Sequence, residues 1–245
     1  MSEELDRFYR EKAARIKDLG VNQPFREASR GFLKESLKVD YSYNFSWLGR
    51  PIIQYPQDIV ALQEIIWATK PKLIVETGVA HGGTSVFLAS MLELLGGEGM
   101  VLSLDIEIRA HNRPLIENHP LAKRIKLLEG DSIGPEAIAE AQSLAERYGP
   151  TMVMLDSSHT HDHVLAELRL YSKLVTKGCY LVVFDGVVEQ FPELYSNNAR
   201  PWGPGNNPLT ATRAFLAEND DFIIDWDLLN KLAITAAPEG YLIRK

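Results

Sequence analysis

The stretch at residues 73–85, which reads LIVETGVAHGGTS, constrains the fold of this chain more than any other. A continuous apolar run ends at Glu76 and Thr77, and the chain then turns through Gly78 into a glycine-rich loop. Strands of parallel sheets are buried on both faces and read as unbroken apolar runs, and open α/β sheets bind ligands outside the carboxyl ends of their strands. The stretch therefore predicts a buried parallel strand, a ligand-binding turn and the start of a helix.

Strand and helix patterns alternate along the rest of the chain. Seven strands are predicted, at 72–77, 100–105, 125–129, 152–156, 179–185, 222–225 and 233–244. The helices predicted between them lie at 84–95, 114–118, 135–148, 162–175 and 209–218. This order predicts an α/β fold with a doubly wound, Rossmann-like, mostly parallel seven-stranded sheet and an antiparallel hairpin at its edge.

The N-terminal part of the chain does not follow this alternation. We expect a charged helix at 4–19, an aromatic-rich loop at 40–56 and a helix at 56–69. We therefore divide the chain into an N-terminal helical and aromatic segment, 1–56, and a ligand-binding domain, 57–245.

The glycine-rich loop and the strand ends that follow it point to a nucleoside ligand. Gly78, Gly82 and Gly83 have no Cβ, which would let a ligand lie against the backbone. Asp105 ends the next apolar run, VLSLD, where a carboxylate can accept from both hydroxyls of a ribose. Asp131 can receive an adenine amino group while the next backbone N–H donates to a ring nitrogen.

The same residues favour S-adenosylmethionine (SAM) over a dinucleotide. A dinucleotide site has the pattern G-x-G-x-x-G, and this loop lacks its second glycine. Glu76 would repel a pyrophosphate but suits the ammonium group of SAM, which contains no phosphate. The predicted SAM contacts are Glu76, Thr77, Gly78, His81, Gly82, Gly83, Thr84, Ser85, Asp105, Ile106, Gly130, Asp131, Ser132 and Asp156.

Structural roles remain open for several of these residues. The three glycines could form an ordinary turn between strand and helix, with Glu76 as a capped surface acid. Asp131 could make an Asx turn and cap the following helix.

Two further strand ends carry acids. Asp156 ends the predicted strand at 152–156, and Asp185 ends the predicted strand at 179–185. Neighbouring carboxylates repel each other unless a cation or proton intervenes. Mg²⁺ often uses only one or two carboxylates together with waters. His159 lies nearest to the strand end and is the predicted general base, whereas His161 and His163 are expected in a loop or at a helix start. A zinc site is an alternative, but the pattern does not single out zinc.

Composition limits the class of protein. The net charge of -7 argues against a nucleic-acid partner. A single cysteine, Cys179, excludes an internal disulfide framework and fits a reducing compartment. The mixed-charge N-terminus has no export signal, and no apolar run reaches the length of a membrane span. We expect a cytoplasmic protein without a membrane span.

Several longer segments are typical of one family. They run from about Trp47 to Lys245 and read WLGRPIIQYPQD, KPKLIVETGVAHGGTS, LDSSHTHDHV, GCYLVVFDG, GNNPLTATRAFL and LLNKLAITAAPEGYLIRK. On these segments the chain resembles the cephalosporin hydroxylase/rhamnosyl O-methyltransferase family, a branch of the class I SAM-dependent methyltransferases. The resemblance implies methyl transfer to a hydroxyl, often of a deoxysugar or a natural product, with Mg²⁺ assistance in relatives.

The resemblance also implies a metal site. Relatives have an Asp after the fourth strand, a Glu-Asp pair after the fifth, and a base His three residues after the first Asp. Asp156, Asp185 and His159 match these places, but Phe184 stands where the family has Glu. Three alternatives follow: Mg²⁺ binds more weakly with extra water, Glu189 supplies the missing ligand, or the metal is dispensable.

Together these observations predict a SAM-dependent O-methyltransferase that acts on a small hydroxyl acceptor, with His159 as base and a divalent cation on Asp156 and Asp185. We expect a homo-oligomer. The loops at 41–47 and 186–208 are expected to wall the acceptor site, with Tyr43, Phe45, Trp47 and Trp202 against a sugar or ring; core packing or a subunit interface is the alternative for these aromatics. The other function classes are a sugar-nucleotide or NAD-type oxidoreductase and a catalytically silent SAM-binding assembly protein.

Overall fold

Two sheets form in the part of the chain that the computed structural model describes, residues 2–196 and 199–245. Strands β1 Phe45–Trp47 and β2 Arg50–Ile52 make a small antiparallel hairpin. The main sheet contains β3 Leu73–Thr77, β4 Met100–Asp105, β5 Ile125–Glu129, β6 Thr151–Leu155, β7 Tyr180–Val183, β8 Phe222–Ile224 and β9 Tyr241–Arg244. Its spatial order is β5-β4-β3-β6-β7-β9-β8, parallel from β5 to β7 and antiparallel at β9 and β8. The predicted α/β class, mostly parallel seven-stranded sheet and antiparallel edge are confirmed.

Helices cover both faces of the main sheet. They are α1 Glu3–Val21, α2 Gln23–Lys38, α3 Pro56–Thr69, α4 Gly83–Leu95, α5 Arg113–Glu117, α6 Pro135–Tyr148, α7 His161–Tyr171, α8 Val187–Gln190, α9 Pro192–Tyr195, α10 Pro208–Glu218 and α11 Trp226–Lys231. One buried cluster joins α3 and α4 to the sheet, and another joins α6, α7 and α10 to its other face. Every residue of β3 and β6 is buried, which explains their unbroken apolar sequences.

The order of the strands reverses between β3 and β6. From β3 the chain moves outward through β4 to β5, and it then returns to pair β6 with the other side of β3. Ligands of doubly wound sheets bind in the crevice at such a reversal. Thr77 and Leu155, which pair at the ends of β3 and β6, mark this crevice.

The N-terminal segment shares a core with the sheet. Leu33 of α2 and Ile52 of β2 belong to the same buried cluster as Phe87 of α4. One cluster therefore spans the predicted boundary at residue 56. Sequence patterns predicted α1 but not α2, which begins where the Asn22 side chain accepts from the Phe25 backbone N–H at 3.1 Å.

The aromatic-rich loop predicted at 40–56 is more regular than expected. It contains a short 3-10 helix, Tyr41–Asn44, followed by the β1–β2 hairpin. Trp47 packs edge-on against Phe87, with ring centroids 5.0 Å apart, and its indole N–H donates to Ser90 Oγ at 3.0 Å. Phe45 also packs against the core, so the alternative of core packing holds for these two aromatics.

The C-terminal prediction of one long strand at 233–244 is wrong. Helix α11 precedes an irregular segment, and β9 covers only Tyr241–Arg244. The irregular segment is held by the buried Asp58 carboxylate, which accepts from Thr235 Oγ1 at 2.5 Å and from the Ala236 N–H at 2.8 Å. These hydrogen bonds to a residue of α3 take the place of strand pairing for Thr235 and Ala236.

The irregular stretch predicted at 186–208 also contains structure. Short helices α8 and α9 occupy its first half, and residues 197 and 198 lie outside the described residues. Among the described helices, none is both long enough and apolar enough to cross a membrane.

Candidate active site

Glu76, at the end of β3, is fully buried. Its Oε2 accepts from Ser85 Oγ at 2.5 Å and from Ser103 Oγ at 2.7 Å, while its Oε1 is buried without a hydrogen-bond partner among the described residues. Burial raises the pKa of this carboxyl to about 7. The alternative of a capped surface acid is therefore wrong. The Ser85 hydroxyl is used as a donor to the Glu76 carboxylate. The neighbouring Thr77 hydroxyl is likewise buried and has no hydrogen-bond partner in the part of the chain that the structure describes.

The glycines of the loop are required by protein packing. A Cβ on Gly78 would lie 2.0 Å from the Asp156 carbonyl oxygen, and one on Gly83 would lie 2.1 Å from the Pro51 carbonyl oxygen. At Gly82 the same space is filled by the Ile116 side chain. Neighbouring chain segments thus occupy the side on which a Cβ would stand, and the predicted contact of a ligand with the backbone of these glycines stays a prediction.

Asp105 closes the same loop. Its Oδ2 accepts from the backbone N–H groups of Val79 at 2.8 Å and Ala80 at 3.2 Å. Its Oδ1 accepts from the Glu107 N–H at 3.2 Å. The predicted ribose acceptor thus already holds the glycine-rich loop against the end of β4. The side chain of the next residue, Ile106, is exposed.

The segment directly after β5 contains the residues that were predicted to contact adenine. Asp131 is exposed and its Oδ1 accepts from the Ile133 N–H at 3.1 Å, which is the Asx turn of the alternative interpretation. Gly130 adjoins the end of β4, where its N–H donates to the Asp105 carbonyl oxygen at 2.8 Å.

Ser132 belongs to a buried polar cluster that sequence patterns did not reveal. Its hydroxyl lies 2.6 Å from Glu167 Oε1 and 3.0 Å from His163 Nε2. Ser157 Oγ donates to the same Glu167 oxygen at 2.7 Å. The hydrogen bond to Glu167 raises the pKa of His163. The cluster ties the end of β5 to the end of β6, and its members come from positions too far apart in sequence for a local pattern.

The loop between β3 and α4 places the remaining predicted cofactor residues. His81 is half-buried, and its Nδ1 lies 3.3 Å from Asn112 Nδ2. Its carbonyl oxygen accepts twice from the buried guanidinium of Arg50, at 2.9 Å and 2.6 Å. Thr84 is half-buried in the first turn of α4. Arg50 was not among the predicted site residues.

Asp156, His159 and Asp185 converge at the ends of β6 and β7. One ligand atom from each lies within 4.8 Å of the others, and His159 Nε2 is 3.2 Å from Asp185 Oδ2. Asp185 adopts a left-handed backbone conformation with φ 58°, which turns the chain sharply after β7. Burial and the charge of Asp185 raise the pKa of Asp156 well above its usual range. We call these three residues the acid–histidine group.

The acid–histidine group fits a divalent cation. Two carboxylates and an imidazole offer oxygen and nitrogen ligands, and the repulsion between the two acids would be relieved by a positive charge. The donors therefore suit a metal ion by their chemistry as well as by their spacing.

Glu189 lies in a different set of contacts. Its Oε2 accepts from the Gly205 N–H at 2.8 Å and from Asn207 Nδ2 at 2.5 Å, so it holds the loop before α10. These contacts use Oε2 of Glu189, and the alternative in which Glu189 supplies a further metal ligand stays a prediction. Phe184 is buried and packs edge-on against Tyr241, with ring centroids 6.4 Å apart.

Gln54, which was not among the predicted site residues, and two aromatic side chains border the acid–histidine group. Gln54 Nε2 donates to Asp156 Oδ2 at 3.0 Å. Trp202 packs edge-on against His159 with ring centroids 5.3 Å apart, and Tyr195 lies 5.8 Å from the same indole. Trp202 had been predicted only as part of an acceptor wall.

The other two histidines of this loop bond elsewhere. His161 Nδ1 lies 2.9 Å from Thr210 Oγ1, and the backbone N–H of His161 donates to Asn206 Oδ1 at 2.8 Å. His163 belongs to the Ser132 cluster. Of the three, the structure thus brings His159 to the two acids.

Comparisons with known proteins find similar sequences over most of the chain. A family model described as Rhamnosyl O-methyltransferase/CmcI matches residues 39–245. The Rhamnosyl O-methyltransferase of Mycobacterium tuberculosis is 33% identical over 192 residues, which cover 76% of this chain and 73% of that protein. The Rhamnosyl O-methyltransferase of Mycobacterium leprae is 31% identical over 204 residues, which cover 82% of this chain and 83% of that protein.

Solved structures show the same fold. A cmcI structure described as Mg-SAM has a TM-score of 0.56 at 18% identity and covers 83% of this chain and 77% of that one. The O-methyltransferase from Bacillus cereus in complex with SAH, the demethylated form of SAM, has a TM-score of 0.53 at 19% identity. It covers 87% of this chain and 90% of that one.

The fold is that of a class I methyltransferase. Within that class, the match over most of its length shows that the chain belongs to the Rhamnosyl O-methyltransferase/CmcI family, as the resemblance predicted. It is a SAM-dependent O-methyltransferase. The alternative of a sugar-nucleotide or NAD-type oxidoreductase is set aside by this membership.

Proposed function

We propose that this protein transfers a methyl group from SAM to a hydroxyl of a deoxysugar or of a glycosylated natural product. The observation that carries the proposal is the convergence of Asp156, His159 and Asp185 at the strand reversal of the fold. His159 would take the hydroxyl proton, and Asp156 and Asp185 would hold a divalent cation.

The end of β3 supports the cofactor side of the proposal. Glu76 Oε1 and Thr77 Oγ1 are buried there and have no hydrogen-bond partner within residues 2–196 and 199–245. Such unpaired atoms in a native fold are usually explained by a water or a ligand. Asp105 keeps lone pairs available beyond its backbone bonds, because a carboxylate offers about four acceptor sites. We propose that SAM lies over this loop, with its ribose beside Asp105 and its adenine beside Asp131.

The acid–histidine group supplies the chemistry. Bound SAM supplies the methyl group, and a bound divalent cation supplies positive charge beside the acceptor oxygen. Asp185 stabilises the charge that develops on His159 when the imidazole takes a proton, since its Oδ2 lies 3.2 Å from Nε2. Trp202 packs on the imidazole and limits its rotation. General base assistance is worth roughly 10²–10⁴-fold in rate.

Aromatic side chains support a sugar as the acceptor. Tyr195 is half-buried, with its ring centroid 5.8 Å from that of Trp202, and would offer an apolar ring and a polar hydroxyl to a sugar. The Trp202 ring is only 9% exposed and has the Arg200 guanidinium 4.7 Å from its centroid. The curated relatives named above are rhamnosyl O-methyltransferases, which favours a deoxyhexose.

The test is a turnover assay that measures S-adenosylhomocysteine formed from SAM with methyl α-L-rhamnoside, other deoxyhexosides and catechol. We expect turnover on a deoxyhexoside, a loss of at least about tenfold in excess chelator, and recovery with Mg²⁺. Asp185→Asn should reproduce the loss without chelator. Asp162→Asn is the matched control, because Asp162 is an exposed acid of the same region outside the acid–histidine group.

Full turnover in chelator, together with an active Asp185→Asn variant, would show that the acids are structural. Turnover on catechol alone would reject the sugar acceptor while keeping the methyl transfer. SAM binding without turnover on any hydroxyl acceptor would favour the silent binding protein.

A further inference from the structure

Gln54 is a buried amide that reaches the acid–histidine group from the N-terminal segment. It lies between β2 and α3 and is only 3% exposed. Its Nε2 donates to Asp156 Oδ2 at 3.0 Å across a separation of 102 residues. The side chain therefore holds one oxygen of a carboxylate on which the proposed cation site depends.

The other end of the Gln54 amide is unused by the protein. Oε1 is buried and has no hydrogen-bond partner among the described residues. Buried carbonyl oxygens almost always have a donor, so this atom points to a donor that the protein alone does not supply. An O–H group of water or of a sugar would satisfy it.

The backbone around Gln54 is fixed on both sides. Arg50, four residues earlier, is buried and bonded to the His81 carbonyl oxygen. Tyr55 is buried and its hydroxyl lies 2.8 Å from Ser36 Oγ. Asp58, four residues later, is bonded to Thr235 and Ala236. Because its neighbours are anchored, Gln54 can hold Asp156 in one orientation.

A neutral amide is suited to this position. A lysine or arginine would neutralise Asp156 and compete with a cation for it. An amide N–H orients the carboxylate by a hydrogen bond and leaves its negative charge available.

We propose that Gln54 is a positioning residue that orients Asp156 for a divalent cation and accepts, through Oε1, a hydrogen bond from a water or hydroxyl of the bound ligands. The inference rests on the proposed cation site of Asp156 and Asp185. Residues that orient metal ligands typically change metal affinity 10–100-fold when they are replaced.

The test is a titration of the full chain with Mn²⁺ in the presence of saturating S-adenosylhomocysteine. Electron paramagnetic resonance measures the free Mn²⁺ at each step. Gln54→Met keeps the length of the side chain and removes both polar atoms. We expect Mn²⁺ to bind about 10–100-fold more weakly, with S-adenosylhomocysteine affinity and melting temperature close to wild type. Gln54→Asn, whose amide is too short to reach Asp156, gives the same test if the first variant does not fold.

Gln57→Met is the matched control. Gln57 lies three residues further on, also carries a buried Oε1 without a partner, and makes no bond to Asp156 in the described structure. Its variant should bind Mn²⁺ as wild type does. Unchanged Mn²⁺ affinity in the Gln54 variants would overturn the inference, and so would equal losses of Mn²⁺ and cofactor binding, which mark a structural role.

Asp185→Asn separates this inference from the proposed function. If wild type binds Mn²⁺ and Asp185→Asn does not, the cation site stands and the Gln54 variants alone decide the inference. If Asp185→Asn binds Mn²⁺ as wild type does, the cation site itself fails and the inference fails with it.

Discussion

At the scale of single residues, His159 is set apart from its neighbours by its contacts. Its Nε2 lies beside a carboxylate and its ring lies against Trp202, whereas His161 is bonded to Thr210 and His163 to the Ser132 cluster. The imidazole is therefore held in one place, next to the group that would stabilise its protonated form.

His159→Ala should lower turnover by roughly 10²-fold or more while SAM affinity stays nearly unchanged, because a general base acts in the transition state and not in cofactor binding. Single-turnover kinetics and calorimetry measure the two effects. His161→Ala is the control and should lose much less. Equal losses in both variants, or a large loss of SAM binding in His159→Ala, would assign this loop a structural role.

Phe184 shows how one residue limits the metal site. The family that the sequence resembles has Glu at this place, but here the ring is 1% exposed and packs against Tyr241. A carboxylate introduced at Phe184 would be buried in the core at a high desolvation cost. Among the described residues, the acid–histidine group therefore contains two carboxylates.

At the scale of elements, the β1–β2 hairpin contacts the glycine-rich loop. Arg50 reaches from β2 to the His81 carbonyl oxygen and to Asn112 Oδ1, and Asn112 Nδ2 in turn donates to the Ala80 carbonyl oxygen at 3.0 Å. Pro51 occupies the space beside Gly83. The hairpin therefore sets the shape of the glycine-rich loop from the side opposite to Asp105.

Arg50→Met should weaken SAM binding about tenfold, since it removes charged hydrogen bonds, each worth roughly 1.5–3 kcal/mol, from a loop that SAM is proposed to contact. Calorimetric titration with SAM measures the change. The matched control is Arg26→Met, because Arg26 donates to the Leu232 carbonyl oxygen away from this loop. Unchanged SAM affinity in Arg50→Met would remove the hairpin from the cofactor site.

At the scale of the whole molecule, the buried carboxyls link stability to pH. Glu76 and Asp58 are fully buried, and burial raises their pKa values to about 7 and about 6. In the unfolded chain the pKa of each carboxyl returns to its ordinary value. At a pH between a group's ordinary pKa and its raised pKa, the folded state therefore binds more protons than the unfolded state. Stability is therefore greatest at low pH within this window and falls as the pH rises.

Glu76→Gln isolates one of these contributions. The amide oxygen can still accept from Ser85 and Ser103 but does not titrate. The stability of wild type relative to this variant should fall by about 3 kcal/mol as the pH rises from the ordinary value of 4.5 to about 7, and then level off.

Urea denaturation of the SAM-free protein from pH 4.5 to 8 measures this difference. Glu98→Gln, which changes an exposed glutamate, is the control and should show no such trend. A difference that stays constant with pH would mean that Glu76 has an ordinary pKa in the folded protein.

The predicted homo-oligomer stays a prediction at this scale.

The fold class and the family were predicted from the sequence and are confirmed. Both depend on features that are local in the chain: buried apolar runs, turns after them, and short segments shared with relatives. A parallel sheet also gathers the carboxyl ends of its strands at one edge, so an acid after each of two neighbouring strands predicts a polar group there.

Contacts between distant segments were decided only by the tertiary structure. Gln54 meets Asp156, Arg50 meets His81, and Glu167 joins Ser132 to Ser157. The same holds for Glu189, whose Oε2 accepts from the Gly205 N–H and from Asn207 Nδ2.

The physical reason is the range of the interactions. Strand and helix patterns arise from neighbours along the chain, whereas a side-chain hydrogen bond forms with whatever polar atom the packing brings within about 3 Å. The sequence by itself therefore determined the sheet, the family of the protein and the strand ends at which the acids lie. Packing decided which side chains those acids face and which loops hold them.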